Sequence, residues 1–118
     1  MKNVYRVSLL LDLYGQLLTQ RQYEILDLYY NNDYSLGEIS EDLKISRQGV
    51  YDNIKRGINL LNKYEKKMLL LNRYLKQKEK LEALLNTIDN IDTTDMSDDN
   101  KNKIKNIREL VVEMLNDV

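Results

Sequence analysis

Apolar residues in the first half of the chain recur at three- and four-residue spacing and never in sustained alternation, so the pattern reads as a succession of helices. Val4, Val7, Leu11 and Tyr14, with Leu10 beside them, mark a first helix over residues 3–14. Gly15 is placed to end it in the left-handed conformation, which costs glycine no Cβ clash. Leu17 and Leu18 then return the chain to the core. Thr19 opens a second helix: Thr19 and Gln22 have the spacing of a capping box, in which each side chain bonds a backbone N–H of the first turn. Tyr23, Leu26, Tyr29 and Tyr30 form its stripe, widened by Ile25 and Leu28, and Asn31-Asn32-Asp33 closes it with turn chemistry. Ser35 and Glu38 repeat the capping box, and Leu36, Ile39 and Leu43 give a short third helix one apolar face. Lys44-Ile45 is the next turn. Ser46 caps a fourth helix whose buried face is Val50, Ile54 and Ile58.

Ser35 to Arg56 therefore reads as a helix-turn-helix. Ile39, Leu43, Ile45, Val50 and Ile54 meet in one small core when two helices cross at the steep angle of that motif. The turn then points Arg47, Gln48, Tyr51, Asp52 and Lys55 outward. Arg and Gln read base edges in a major groove, while Lys55, Arg56 and the backbone at the helix start suit phosphates. The candidate nucleic-acid-binding residues are Ser46, Arg47, Gln48, Tyr51, Asn53, Lys55 and Arg56. Asp52 opposes this, since a carboxylate repels phosphate; it can accept a bond from cytosine or orient Arg56 four residues on.

Beyond Ile58 the stripe continues at Leu61, Tyr64 (or Glu65), Met68, Leu71 and Leu75, a short heptad-like run. Lys63 to Lys67 offers a break or bend. A second register at Leu81, Leu84, Ile88 and Ile91 implies a stutter or a change of partner. The expectation is one very long helix, or two nearly collinear ones, ending near Asn90. Residues 91–100 read as a loop. Its Asp92, Asp95, Asp98 and Asp99 lack the glycine and closing glutamate of a calcium loop, so they read as caps and solvated side chains. Ser97 caps a last helix over 98–116, with Ile104, Ile107, Val111, Met114 and Val118 in one stripe and Leu110 and Leu115 beside it. It is expected to fold back on the 68–90 helix. One hairpin buries little, which favours a homodimer over a monomer with the hairpin packed on the N-terminal domain. The fold class is all-α: a helix-turn-helix domain over 1–64 and a helical hairpin over 65–118 that serves for dimerisation or partner binding.

Composition sharpens this. The 118 residues are 42% hydrophobic and 31% charged, with no proline and four glycines, so nothing interrupts long helices from inside. Net charge is −1, but it is segregated. Residues 1–43 carry three basic and seven acidic groups, residues 44–80 eleven and three, and residues 81–118 four and nine. The basic block starts at the turn of the helix-turn-helix, as a phosphate-binding surface requires; a solvated Lys-rich helix gives the same pattern. Lys63, Lys66, Lys67 and Arg73 within it are candidate partner-binding residues. Histidine and cysteine are both absent, which removes the commonest general base, the thiol nucleophile and ordinary zinc sites. With no glycine-rich phosphate loop either, no catalysis, cofactor or metal is expected. The nearest approach to a membrane-spanning run, Ser8 to Tyr14, contains Asp12 and is too short to span a bilayer; no signal peptide is evident, and the expected place is the cytoplasm.

The run from Leu18 through Leu61 resembles the promoter-reading fourth region of bacterial sigma factors, on Ser35-Leu36, Glu38-Ile39-Ser40, Leu43, Ile45-Ser46, Val50, Ile54, Arg56, Leu60 and Leu61. More narrowly, residues 4–68 resemble the YlxM-like family of small bacterial proteins. The residues that carry this are Asp12-Leu13-Tyr14-Gly15, Leu17-Leu18-Thr19, Gln22, Leu28-Tyr29-Tyr30 and the run Ser46-Arg47-Gln48-Gly49-Val50-Tyr51-Asp52-Asn53-Ile54-Lys55-Arg56. The resemblance implies a sigma-region-4-like fold with extra C-terminal helices. It also implies a role as a regulatory or accessory factor for the GTPase of the signal recognition particle. The nucleic acid expected from the residues at the start of the fourth helix is DNA or the particle's RNA. Two positions depart from the pattern: Lys44 stands where the turn usually has glycine, and Ser40 where the first helix usually has alanine. The leading expectation is a helix-turn-helix nucleic-acid-binding regulator. The alternatives are a sequence-specific transcriptional regulator and a module that binds the particle's GTPase without nucleic acid.

Overall fold

The computed structural model describes residues 3–117. Among them every regular element is helical, so the protein is all-α. The chain divides into two compact units, Met1–Leu71 and Asn72–Val118.

In the first unit, α1 (Val4–Tyr14) buries Val7, Leu10, Leu11 and Tyr14 and is capped by the Asn3 side chain, which accepts from the Arg6 N–H. Val4 departs from the expected stripe and is 44% exposed, as a residue of a first turn with no turn before it to cover it. Gly15 ends α1 but not in the left-handed conformation expected of it: its φ is −56° and ψ −32°. Its lack of a side chain serves packing instead, since a Cβ there would lie 2.6 Å from the Tyr23 ring. Gly15–Leu17 forms a 3-10 turn. The tighter pitch turns successive side chains by about a third of a circle, so Leu18 is buried while Leu17, expected in the core, is 53% exposed.

Helix α2 (Gln20–Leu26) begins with the expected capping box, Thr19 and Gln22 exchanging bonds of 3.1 Å each. It then widens into a π-helical turn, Asp27–Asn31, where an ordinary helix was expected. The Asn32 N–H bonds the Asp27 carbonyl at 3.1 Å, five residues back. The cause is local: the Asp27 carboxylate accepts from the Asn31 amide at 2.7 Å, and the Asn32 amide donates to the Asp27 carbonyl at 3.1 Å. These side-chain bonds compensate for the looser ladder.

Helix α3 (Leu36–Leu43) carries the second capping box, with bonds of 3.0 and 3.1 Å between Ser35 and Glu38. Lys44 takes the left-handed turn at φ 57° and ψ 45°, a conformation that costs a non-glycine residue about 1–2 kcal/mol. The Ser40 hydroxyl donates to the Ile45 carbonyl and ties the turn to α3. Helix α4 (Arg47–Met68) starts at Ser46, whose hydroxyl accepts from the Gly49 N–H at 2.9 Å. Its inner face buries Val50, Ile54, Gly57, Leu61 and Glu65. Gly57 lets α4 approach α2 closely, because a Cβ there would lie 2.6 Å from Leu26 Cδ1.

The break after α4 falls at Leu69, past the Lys63–Lys67 stretch, and no single long helix runs through. Leu69 is left-handed at φ 56°, a strained state for a leucine. Three bonds hold it. Its N–H reaches the Glu65 carbonyl at 2.8 Å, the Leu70 N–H donates to the Tyr14 hydroxyl at 3.1 Å, and the Leu71 N–H donates to the Glu65 carboxylate at 2.9 Å. Tyr14 in turn donates to that carboxylate at 2.7 Å. Glu65, not Tyr64, therefore occupies the inner stripe, and it is 8% exposed. A buried carboxylate beside the first N–H groups of the following helix supplies what a helix start lacks.

Helix α5 (Leu70–Asp89) begins in the first unit, and in the second unit the rest of it packs with α6 (Asp98–Asp117) through Leu81, Ile88 and Val111, with Leu85, Ile104 and Leu115 around them. Arg108 bonds Asp89 at 2.7 Å, and Ser97 caps α6 through the Asn100 N–H. In the intervening loop the Thr94 hydroxyl and N–H hold the Asp92 carboxyl below the usual carboxylate range. Ile107, Leu110 and Met114, expected in the α6 stripe or beside it, are exposed. Val118, the last residue of that stripe, lies outside the described residues.

Candidate nucleic-acid interface

The capped start of α4 and the left-handed turn before it set the candidate site. Ser46 is committed to the cap. Arg47, the first helical residue, is exposed, and its guanidinium lies over Gly37 of α3, where a Cβ would come 3.0 Å from Nη2. A side chain at Gly37 would push Arg47 off this position. Gln48 is exposed and donates from its amide to the Asp52 carboxylate at 3.0 Å. The Asp52 partner is thus Gln48, one turn before it, and not Arg56. Tyr51 is 48% exposed. Lys55 and Arg56 are exposed. Asn53 is half-buried and folds back to donate to the Gly49 carbonyl at 2.8 Å, so it braces the helix.

Arg47, Gln48, Tyr51, Lys55 and Arg56 thus share the solvent side of one helix, with the backbone N–H groups of its first turn beside them. Such an arrangement pairs cationic groups and a helix N-terminus for phosphate with planar side chains for bases. Lys63, Lys66 and Lys67 are exposed farther along α4; Lys66 and Lys67 lie in its last turn, where they complement the negative end of the helix dipole. Arg73, exposed on α5, belongs to the second unit.

A feature that the helical stripe concealed lies beside Tyr51. A groove of about 440 Å³ is lined by Tyr29, Tyr30, Leu36, Tyr51, Ile54, Lys55 and Ile58. Two of its walls come from the π-helical turn, which sets Tyr29 and Tyr30 edge to face with ring centres 5.0 Å apart. Burial, and after it the neighbouring Tyr29, raises the Tyr30 phenol above its ordinary pKa. The one sequence signal for this groove is the concentration of aromatic character in nine tyrosines, with no Phe or Trp.

Among the described residues, no cluster of His, Cys, Asp or Glu is arranged to hold a metal ion, and no helix is long and apolar enough to cross a membrane. The paired helices about a left-handed turn, with the second helix capped and presenting its polar face, define a helix-turn-helix protein. Residues 1–109 match the family UPF0122, whose description reads "Putative helix-turn-helix protein, YlxM / p13 like", and the chain belongs to that family. A UPF0122 protein of Acetivibrio thermocellus is 53% identical over 115 residues, covering 98% of each chain. A UPF0122 protein of Pediococcus pentosaceus is 56% identical over 69 residues, 58% of this chain and 61% of the relative. One from Caldanaerobacter subterraneus is 53% identical over 78 residues, 66% of this chain and 67% of the relative.

Proposed function

We propose that the protein is a cytoplasmic nucleic-acid-binding regulator that uses the start of α4 as its contact surface and serves as an accessory factor of the signal recognition particle pathway. The observation that supports nucleic-acid contact is the exposure of Arg47, Gln48, Tyr51, Lys55 and Arg56 along one capped helix. The carboxylate among them, Asp52, is engaged by Gln48, which blunts its repulsion of phosphate. That pairing also ties up the amide that would read an adenine edge, which favours recognition through phosphate and shape. The link to the signal recognition particle rests on family membership and on the likeness through Ser46 to Arg56.

Lys63, Lys66 and Lys67, exposed near the end of α4, favour a second reading in which this end of the helix docks an acidic surface of the particle's GTPase. A titration against duplex DNA, the particle's RNA and the purified GTPase, each at two salt concentrations, separates the readings. Nucleic-acid binding that weakens with salt and with Arg47→Ala supports the first. Binding of the GTPase alone, sensitive to Lys66→Glu and indifferent to Arg47→Ala, supports the second. A pairing of α5 and α6 with a second copy belongs to the same proposal, and sedimentation equilibrium tests it: a monomer at tens of micromolar chain concentration contradicts it.

A further inference from the structure

The groove beside Tyr51 goes further than a phosphate-contact surface. Its walls are three tyrosine rings and three aliphatic side chains, and among the described residues that line it Lys55 carries the only charge. None of those described residues is a carboxylate. The volume of about 440 Å³ is in the range of pockets that enclose one small planar ligand. Lys55 sits one helical turn beyond Tyr51 on the same face, close enough for one ligand to place a ring in the groove and an anion at its rim. The π-helical turn that supplies Tyr29 and Tyr30 is a form found often at functional sites.

Resting on the nucleic-acid reading above, we infer that this groove takes a single unpaired base of a structured RNA, stacked on Tyr51, with the adjoining phosphate on Lys55. Charge complementarity favours this ligand over an apolar peptide segment: the groove offers the Lys55 cation beside phenol rings. An unpaired base also enters at least cost. A base in a duplex must first be unstacked, whereas a bulge or loop presents it already exposed.

The test uses the full chain and fluorescence anisotropy with three labelled probes: an RNA hairpin carrying one bulged adenosine, the same hairpin fully paired, and the matching DNA duplex. The bulged hairpin should bind about tenfold more tightly than the paired one, the size of one base–aromatic stack. Tyr51→Ala should remove most of that preference, costing the bulged hairpin about tenfold and the paired hairpin less than about threefold. Tyr51→Phe, which keeps the ring, should keep the preference. Because Tyr51 is half exposed, circular dichroism should report the same helix content for all variants. With 2-aminopurine at the bulge, its fluorescence should fall on binding to the wild type and not to Tyr51→Ala. The inference is overturned if the hairpins bind equally, if the preference survives Tyr51→Ala, or if an apolar helical peptide fills the groove without competing with RNA. Equal binding that still weakens with Arg47→Ala leaves the nucleic-acid reading standing and removes only the base pocket. No binding to any probe removes both.

Discussion

Tyr14→Phe removes one oxygen from the buried polar network of the first unit. That hydroxyl donates to the Glu65 carboxylate at 2.7 Å and accepts from the Leu70 N–H at 3.1 Å. A hydrogen bond to a charged partner contributes about 1.5–3 kcal/mol. Losing it leaves a buried carboxylate that keeps the Leu71 N–H at 2.9 Å. The Leu70 N–H loses its partner at a half-exposed residue, so water recovers part of that bond and the added cost is about 1 kcal/mol or less. The ring itself still fills its place among α1 and α4, where Tyr14 is 1% exposed. The total is about 2–4 kcal/mol, which for a unit of this size lowers Tm by roughly 10–25 °C. Urea and thermal melts followed by circular dichroism measure the loss. Amide exchange locates it, because the Leu70 and Leu71 N–H groups should lose protection before the rest of α5. A Tyr14→Phe variant less than about 0.5 kcal/mol below wild type, with unchanged exchange at those two amides, refutes the account of how the strained Leu69 is held.

The remaining expectations concern pH and packing. Burial first, and the Glu65 bond second, raise the Tyr14 phenol above its ordinary value near 10, and burial raises Tyr30 likewise. The folded state therefore keeps protons that the unfolded chain has released, so stability is level below about pH 10 and falls as pH rises beyond it. Melts from pH 8 to 11 check this, and Tyr14→Phe should flatten the alkaline decline. Gly57→Ala places a Cβ 2.6 Å from Leu26 Cδ1 and should cost about 1–3 kcal/mol by overpacking. Combined with Leu26→Val it should cost less than the two single changes together, which a denaturation cycle reads.

Local chemistry was legible in the sequence where side chains answer their own backbone. Both capping boxes and the Ser46 cap formed at the expected residues, because the partners lie within three residues of each other. The left-handed turn at Lys44 kept its geometry without glycine, since the crossing of α3 and α4 over Ile39, Val50 and Ile54 outweighs a strain of about 1–2 kcal/mol. What depended on distant partners was hidden. Gly15 ends α1 as its spacing implies, but with a negative φ, and what requires a glycine there is the Tyr23 ring. The apolar spacing admits Tyr64 or Glu65 at one position of the stripe, and the bonds from Tyr14 and the Leu71 amide are what favour Glu65 there. Tyr30 is buried as its place in the stripe implies, but the widened turn that also brings it and Tyr29 to one groove rests on local bonds from two asparagines to Asp27, which apolar spacing does not reveal. Within the candidate site, Asn53 looked like a reader, yet its amide is spent on the helix backbone.

We propose that exposed cations at the start of α4 contact phosphate. The most direct test of this claim is the salt dependence of binding to a labelled RNA hairpin for wild type, Arg47→Ala and Lys55→Ala. The slope of log affinity against log salt should fall by about one for each substitution, as each removes about one phosphate contact. Slopes identical to that of wild type in both variants contradict the claim.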